Sequence, residues 1–281
     1  MTVRRKAVQV AGENGSGSPG GTGLPASIEA AWGLRPRPVK GPRPGLSPER
    51  IVGAAVAVAA AEGLSAVSMG RVAKDLGVAT MSLYRYVAAK DELFVLMQEA
   101  ALGSPPPLPA PEERGGWREA LSRWARSQSR VFRANPWMLR IPLAGPPASP
   151  HSVAWWEQGL QALAGTGLEA DEKVSVLLLI SGFVRNDALL AADLDAAAAS
   201  RGVPVAEVVE GRARTLDRLV DPARQPALAR LKETTAVWTT GDPGHAFAFG
   251  LERVLDGVGV LVAARAREHG TEDSGTGPGG I

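Results

Sequence analysis

Cysteine is absent from this chain of 281 residues, and histidine occurs only three times. Without thiols the protein can form neither a disulfide framework nor a thiolate zinc site, which fits a reducing compartment. His151, His245 and His269 are too far apart in the sequence to form a metal-binding pattern. The sequence therefore predicts neither a metal nor a cofactor.

Long apolar runs are also lacking. The longest ones, residues 51–61 and a run that starts at residues 174–180, are shorter than the roughly 20 residues of a membrane helix. The N-terminus carries charges but no apolar stretch suited to secretion. We therefore expect a soluble, cytoplasmic protein with no membrane partner, and an apolar content of 45% is ample for a buried core.

Residue patterns typical of enzymes do not occur in a suitable context. Residues 15–20 formally match the dinucleotide-binding pattern G-x-G-x-x-G, but no strand precedes them and no helix follows. None of the six lysines is followed by serine or threonine, which excludes the usual ending of a phosphate-binding loop. Since a G-x-S-x-G elbow is missing too, the sequence favours a binding protein over an enzyme.

Positive charge is concentrated at the front of the chain. Residues 1–90 contain 12 lysines and arginines against 5 acidic residues, a net charge of +7, whereas residues 91–281 contain 19 against 24, a net charge of −5. A basic front joined to an acidic rear is typical of a head that binds a polyanion and a body that does not. The alternative is an ordinary fluctuation of surface charge.

The first 45 residues hold 9 glycines and 6 prolines and few apolar residues, a composition that favours disorder. An extended, proline-stiffened strip with arginine suits the minor groove of DNA, where the potential is most negative. The alternative is a solvated linker that touches no DNA. Residues 35–44 form such a strip, and its four cations are Arg35, Arg37, Lys40 and Arg43.

Residues 67–90 have the pattern of two short helices joined by a turn at Gly77. Apolar residues at helical spacing give each helix one face to bury, and Leu83 and Val87 form that face on the second helix. The outer face of the second helix carries hydroxyls, aromatic rings and a guanidinium, which suit base edges and phosphates. The pattern predicts a helix-turn-helix with a recognition helix. The outer residues are Thr80, Met81, Ser82, Tyr84, Arg85 and Tyr86.

Helix boundaries around this motif are well marked. Ser47 and Ser68 are good N-cap residues, and Gly63 is suited to end the first helix. A further helix begins at Lys90 and stops before the proline-rich residues 103–111. Helical patterns and no convincing strand follow, so we expect an all-α fold with a small head and a helical bundle. The later helices are predicted at residues 117–134, 149–163, 171–194, 206–219, 226–238 and 245–267.

The segment 46–102 resembles the DNA-binding head of the tetracycline-repressor (TetR) family. The rear of the chain resembles that family only in being helical and of suitable length. We therefore expect an arm, a head, a linker, a ligand-binding and dimerising body and a tail, at residues 1–45, 46–102, 103–115, 116–270 and 271–281. The resemblance rests on Gly63-Leu64, Val72-Ala73, Leu76-Gly77-Val78, Leu83-Tyr84-Arg85-Tyr86-Val87 and Lys90-Asp91-Glu92-Leu93, in the family's order and spacing.

The resemblance implies two sets of DNA contacts. Thr80, Met81 and Ser82 open the recognition helix and are expected to meet base edges or nearby backbone. Gly70 and Arg85 depart from the side chains found in several relatives, so the base preference cannot be transferred. Contacts to phosphate and sugar are expected from Ser47, Ser68, Tyr84, Tyr86 and Lys90. Structural roles are the alternatives: a cap for Ser68, partial core for Tyr84 and a plain surface charge for Lys90.

Large aromatic side chains are concentrated in the rear of the chain. Core packing explains any one of them, but a subset could line an apolar cavity for a flat, lipophilic ligand. Arg185, Asn186 and Asp187 interrupt an otherwise apolar helix, so they must pair or face a pocket. In TetR relatives a small molecule spreads the two heads and releases DNA. The candidate ligand residues are Trp124, Gln128, Trp137, Met138, His151, Trp156, Phe183, Asn186 and Asp187.

A dimer is expected because one head covers a single major-groove half-site. Residues 174–190 and 247–264 have apolar stripes wide enough for the body and a partner, as in the four-helix pairing of the family; the alternative is that both helices are internal. The prediction is a ligand-responsive, homodimeric repressor of a partly palindromic double-stranded DNA operator. Two other functions stay open: a small-molecule sequestering protein with a vestigial head, and an architectural DNA-binding protein without an effector.

Overall fold

The computed structural model describes residues 23–34, 45–107, 116–142, 148–233 and 243–273. Every regular element within these ranges is a helix, which confirms the predicted all-α fold. The four cations of the basic strip lie outside the described residues; they are Arg35, Arg37, Lys40 and Arg43.

Five helices form the front of the molecule, and a 3-10 turn at Leu64–Ala66 separates the second from the third. The recognition segment predicted from the sequence begins with the fourth helix. The five are α1 (Ala26–Ala31), α2 (Pro48–Glu62), α3 (Met69–Leu76), α4 (Thr80–Leu83) and α5 (Lys90–Leu102).

Local capping explains where these helices begin and end. The Ser47 Oγ accepts the Arg50 N–H at 3.3 Å at the start of α2, and the Ser68 Oγ accepts the Arg71 N–H at 3.1 Å at the start of α3. Gly77 has a φ of 67°, the left-handed conformation that ends α3 and makes the turn before α4. All three boundaries lie where the sequence pattern predicted them.

The front core is completed by a segment from the rear of the chain. Side chains of α2, α3 and α5 such as Ile51, Val72 and Leu93 are fully buried in it. The 3-10 turn Pro136–Arg140, which the sequence analysis did not predict, inserts Trp137 and Met138 into the same core. The front of the molecule therefore depends on rear residues for part of its apolar packing.

Six further helices form the rear bundle, in which α6 packs against α7, α8 and α11. Its core contains Leu121, Trp124, Leu177 and Leu251. An ideal Cβ atom at Gly250 would lie 2.6 Å from the Phe183 ring, so any larger residue on α11 at this point would force that ring of α8 to shift. The six are α6 (Gly116–Ala134), α7 (Pro150–Ala162), α8 (Ala170–Arg201), α9 (Val205–Leu219), α10 (Pro226–Glu233) and α11 (Pro243–Asp273).

Two expectations from the sequence need correction. Helix α1 lies inside the segment that composition indicated to be disordered, and it forms there because Ser27 and Ile28 are buried against the front core. Helix α8 has the length and apolar composition of a membrane span, although no run in the sequence was expected to reach that length. It packs against α6, α9 and α11, as a core helix of a bundle does.

Candidate nucleic-acid interface and effector site

The recognition segment is one helical turn followed by tight turns. Helix α4 ends at Leu83, whose carbonyl oxygen accepts the N–H groups of Tyr86 at 2.8 Å and Val87 at 3.0 Å. Leu83 and Val87 are fully buried and fasten the segment to the front core. Met81 and Tyr84, by contrast, are 74% and 43% exposed. The predicted division into a buried face and an outward face is therefore confirmed.

The remaining predicted residues of this segment lie at the same surface. Arg85 and Lys90 are exposed, and Thr80 and Ser82 are half-buried. The Arg85 guanidinium lies 5.9 Å from the centre of the half-buried Tyr86 ring. The Lys90 ammonium lies 5.2 Å from the centre of the Phe94 ring. Such contacts orient a cation without neutralising it.

Arg71 of α3 differs from Arg85 and Lys90 because its charge is neutralised by carboxylates. The Arg71 guanidinium binds the Glu62 carboxylate at 2.6 Å and also binds Asp75. Within the described part of the chain, neither Arg85 nor Lys90 is paired with a carboxylate. Positive charge is thus available to a phosphate at the recognition segment and is satisfied internally one helix away.

Ser47 and Ser68 are occupied by their capping bonds as acceptors. A hydroxyl that accepts one backbone N–H still has its own hydrogen to donate. Ser68 is exposed and Ser47 is half-buried. Both side chains can therefore cap a helix and donate to a phosphate oxygen at the same time.

The nine predicted ligand residues do not form one cluster. Trp137 and Met138 are buried in the front core, whereas Trp124 is buried in the core of the rear bundle. His151 is held by Glu99 of α5, whose carboxylate accepts the His151 backbone N–H at 2.9 Å and lies 2.9 Å from its ring Nδ1. The sequence could not assign each of these side chains to one of the two cores, and their role in ligand binding stays a prediction.

Four further candidates lie on helices of the rear bundle. Phe183 stacks on Phe247 of α11 with the ring centres 5.5 Å apart, and Trp156 packs half-buried against the same core. Gln128 of α6 is buried, and Asn186 of α8 is exposed.

The polar residues in the middle of α8 are explained mostly by pairing. Asp187 binds the Arg133 guanidinium at 2.9 Å. Arg185 donates to the backbone carbonyl oxygens of Leu139 at 2.5 Å and Ile141 at 3.0 Å. Burial under the 3-10 turn lowers the pKa of the Arg185 guanidinium, because loss of water disfavours its charged form. Helix α8 is therefore joined to the segment that completes the front core.

Two buried polar atoms have no hydrogen-bond partner within the described residues. One is the Trp137 Nε1 donor and the other is the Gln158 Oε1 acceptor. The Gln158 amide nitrogen, in contrast, donates to the Pro106 carbonyl oxygen. Buried unpaired groups are uncommon and often mark a place where a ligand or water binds. The aromatic ring of Trp137 marks it as a candidate in the sequence, whereas nothing in the local sequence distinguishes Gln158.

Helices α8 and α11 pack against each other, and both carry exposed apolar side chains. Leu178 of α8 is 55% exposed and Val260 of α11 is 70% exposed. We call the exposed apolar side chains of the two helices together their shared face. A groove of about 290 Å³ runs between the two helices, and at its end Arg265 binds Glu172 at 2.6 Å. This hydrogen-bonded ion pair lowers the pKa of the Glu172 carboxyl. The other large apolar side chains exposed on these helices are Val174, Leu179, Leu190 and Phe249.

Comparison with known proteins yields matches over both parts of the chain. The model described as "Bacterial regulatory proteins, tetR family" matches residues 51–97. The model described as "Tetracyclin repressor-like, C-terminal domain" matches residues 108–262.

Named relatives cover nearly the whole sequence. The chain is 38% identical over 258 residues to the HTH-type transcriptional repressor DrrR1 of Streptomyces coeruleorubidus, covering 92% of this chain and 94% of that protein. It is 28% identical over 233 residues to the HTH-type transcriptional repressor Rv1353c of Mycobacterium tuberculosis (strain ATCC 25618 / H37Rv), covering 81% and 86%.

Solved structures share the fold. Apo ActR from Streptomyces coelicolor aligns with a TM-score of 0.63 at 28% identity, covering 81% of this chain and 100% of that one. ActR in complex with actinorhodin aligns with a TM-score of 0.64 at 28% identity, covering 77% and 98%.

Two of the buried tryptophans, Trp124 and Trp137, provide a matched test of the unpaired indole. The Trp124 Nε1 donates to the Trp155 carbonyl oxygen at 2.9 Å, whereas the Trp137 Nε1 has no partner among the described residues. Trp124→Phe should therefore lower the free energy of unfolding by about 0.5–1.5 kcal/mol more than Trp137→Phe, because only Trp124→Phe removes a buried hydrogen bond. Urea denaturation measures the difference. Equal decreases would show that the Trp137 indole is hydrogen-bonded in solution.

Proposed function

This chain belongs to the TetR family of transcriptional regulators, and from that premise we propose that it represses transcription by binding a partly palindromic DNA operator as a homodimer. It is a regulator and not an enzyme, as the names of its relatives indicate. The proposal includes a cytoplasmic location, where the operator is accessible. The observation that carries it is the recognition segment, which is fastened by Leu83 and Val87 and directs unpaired cations outward.

The recognition segment supplies two kinds of contact in this proposal. Thr80, Met81 and Ser82 stand at its start, where side chains of a recognition helix enter the major groove and meet base edges. Lys90 and the hydroxyl of Tyr86 contact phosphates beside the groove. Contacts to sugar and phosphate are completed by Ser47, Ser68, Tyr84 and Arg85.

The arm is assigned to the neighbouring minor groove. Residues 35–44 connect the described residue Leu34 with the start of the head, so the strip is covalently held near the DNA. Its cations would add sequence-independent phosphate and groove contacts and raise affinity at low salt. The alternative is a solvated linker that touches no DNA. The net positive charge of residues 1–90 favours the DNA-contacting arm. The cations concerned are Arg35, Arg37, Lys40 and Arg43.

A side chain that binds phosphate has a different mutational signature from one that reads a base. Lys90→Ala and Tyr86→Phe should weaken binding to operator and random DNA by similar factors. Lys90→Ala should also reduce the slope of log affinity against log salt by roughly 0.9 for each phosphate that the protein no longer neutralises. Fluorescence anisotropy on the gene's own upstream DNA, with random duplex as competitor, measures both.

Lys173→Ala provides the matched control, since this lysine lies on α8 of the rear bundle. It should change neither affinity nor salt slope. A changed base preference in Lys90→Ala would contradict the phosphate assignment. Equal affinity of the unaltered protein for operator and random DNA would remove the repressor proposal and favour an architectural protein, and no DNA binding at all would favour a sequestering protein.

Dimerisation is assigned to the shared face of α8 and α11. Exposed apolar side chains on two adjacent long helices present an area that a second copy can cover with the same face turned by a two-fold axis. Gly257 of α11 and Gly182 of α8 are exposed on these helices and let backbones approach closely. The pairing doubles the phosphate contacts and fixes the spacing of the two recognition segments.

A charge placed on this face should separate the two subunits. Leu178→Glu and Val260→Glu would each bury a carboxylate in the pair, which costs several kcal/mol by order of magnitude. Light scattering after size exclusion should give the mass of a single chain for these variants. Leu219→Glu is the control, because Leu219 is 73% exposed on α9 and should leave the dimer intact. If Leu178→Glu, Val260→Glu and the control all remain dimeric, the interface does not lie on α8 and α11.

The effector is assigned to the aromatic part of the rear bundle. ActR, at 28% identity, has been solved with actinorhodin and with (S)-DNPA, which supports a small organic ligand for the matching bundle here. Phe183 and Trp156 offer flat apolar surface, and Gln128 offers hydrogen bonding. The lipophilic effector acts by population shift: it binds best to the arrangement whose head spacing does not match adjacent major grooves. The other predicted ligand residues have a secondary role in this proposal, and they are Trp124, Trp137, Met138, His151, Asn186 and Asp187.

A thermal-shift screen against planar, lipophilic compounds, with actinorhodin among them, tests the effector site. A true effector at 100 times its Kd should add about 2.7 kcal/mol of stability and release operator DNA. Phe183→Leu and Trp156→Leu should reduce both effects, whereas Trp117→Leu, which alters an unassigned aromatic of α6, should preserve them. Stabilisation without DNA release would contradict the coupling.

A further inference from the structure

An apolar contact and a polar contact attach helix α1 to the front core. Ile28 is only 3% exposed and belongs to the front core. The neighbouring Ser27 hydroxyl donates to a carboxylate oxygen of Glu92, in the first turn of α5. Both partners of this bond are buried, so water does not compete for it.

Glu92 continues the connection to the recognition segment. Its second carboxylate oxygen accepts the Ala88 N–H at 2.6 Å. Ala88 directly follows Val87, the buried residue that fastens the end of that segment. A single buried carboxylate thus joins α1 to the point at which the recognition segment ends and α5 begins.

The other end of α1 contacts the rear of the molecule. Trp32 follows the helix and donates its indole N–H to the Ala148 carbonyl oxygen at 2.8 Å. Gly33, with a φ of 69°, turns the chain directly after it. Ala148 precedes Ser149, which caps α7. The segment therefore spans from the front core to the start of a rear helix, 116 residues away in sequence.

We propose that Ser27, Ile28 and Trp32 form an N-terminal clasp that fixes the orientation of the DNA-binding head on the rear bundle. Without the clasp, the hydrogen-bonded contacts between α5 and α7 lie towards the C-terminal end of α5, at Glu99 and Gly103. The apolar contacts of Trp137 and Met138 with the front core also join the head to the rear, but they lie on the side of α2 and leave these hydrogen bonds at one end of α5. The clasp adds a hydrogen-bonded connection at the N-terminal end of α5 and so restricts the tilt of the head about its other attachments.

The clasp is suited to release. Its link to the rear is one hydrogen bond from a side chain that is 39% exposed. A net hydrogen bond of this kind changes an equilibrium by about two- to tenfold, so modest binding energy of a ligand in the rear bundle is enough to open it. The effect on head geometry stands by itself, whereas its meaning for operator affinity rests on the proposed function.

The absence of cysteine makes the geometry directly measurable. Ala60→Cys on α2 and Ala164→Cys after α7 place two spin labels at exposed positions, one in the front and one in the rear. The labelled protein is diluted into an excess of unlabelled protein, so that pulsed electron paramagnetic resonance reports the distance within one chain. We expect a narrow distance distribution with the clasp intact.

Trp32→Phe, which keeps a ring but removes the N–H, should broaden this distribution, and combination with Ser27→Ala should broaden it further. Leu34→Ala is the matched control: its side chain is 58% exposed in the same segment, and the distribution should stay narrow. On DNA, the Trp32→Phe variant should bind operator about two- to tenfold more weakly.

Unchanged distributions in both clasp variants would overturn the proposal, as would a broad distribution in the unaltered chain. A lower melting temperature without broadening would also overturn it, because it would show that α1 only stabilises the head. Trp32→Phe alone leaves Ile28 and Ser27 in place, so the test does not depend on the double variant folding. If the unaltered protein shows no preference for operator DNA, the proposed function fails while the distance result still decides the clasp.

Discussion

The front of the molecule depends on apolar side chains supplied by the 3-10 turn between α6 and α7. A domain of about 60 residues buries too little surface to be more than marginally stable alone. Trp137, Met138 and Ile141 extend its core from outside. Arg185 of α8 donates hydrogen bonds to two carbonyl oxygens of this segment. The helix that carries exposed apolar side chains therefore also holds in place the 3-10 turn that completes the front core. Head and bundle therefore share one packing arrangement and cannot be understood separately.

Features with a local cause could be predicted from the sequence. Ser47, Ser68 and Gly77 act through neighbours within a few residues, and the helix boundaries that they set were correct. Leu83 and Val87 were assigned to a buried face by spacing alone, and both are fully buried. The all-α fold follows from the same periodicity. The resemblance of residues 46–102 to the TetR family is confirmed by the family model and by the named relatives.

Features with a distant cause could not be predicted. Composition indicated disorder where α1 forms. The prediction missed this helix because one of its stabilising contacts is with Glu92, 65 residues further along the chain. Two tryptophans of similar local sequence character, Trp124 and Trp137, lie in different cores, and no spacing rule distinguishes them. The pairing of Arg185 illustrates the intermediate case. Its position on an apolar helix required a partner, but only the fold shows that the partner is backbone rather than ligand.

Helix α8 has a consequence through its length alone. Its 32 residues make a rod of about 48 Å at 1.5 Å per residue. Leu178 lies near its N-terminal end, whereas Arg185 and Asp193, which bind Leu139 and Arg140 of the 3-10 turn, lie further along. Because a packed helix moves as a unit, a small tilt at the proposed dimer interface would be carried to the 3-10 turn under the head. If the copies pair through α8, substitutions that change their pairing would also change the orientation of the recognition segments, and the two properties would have to evolve together.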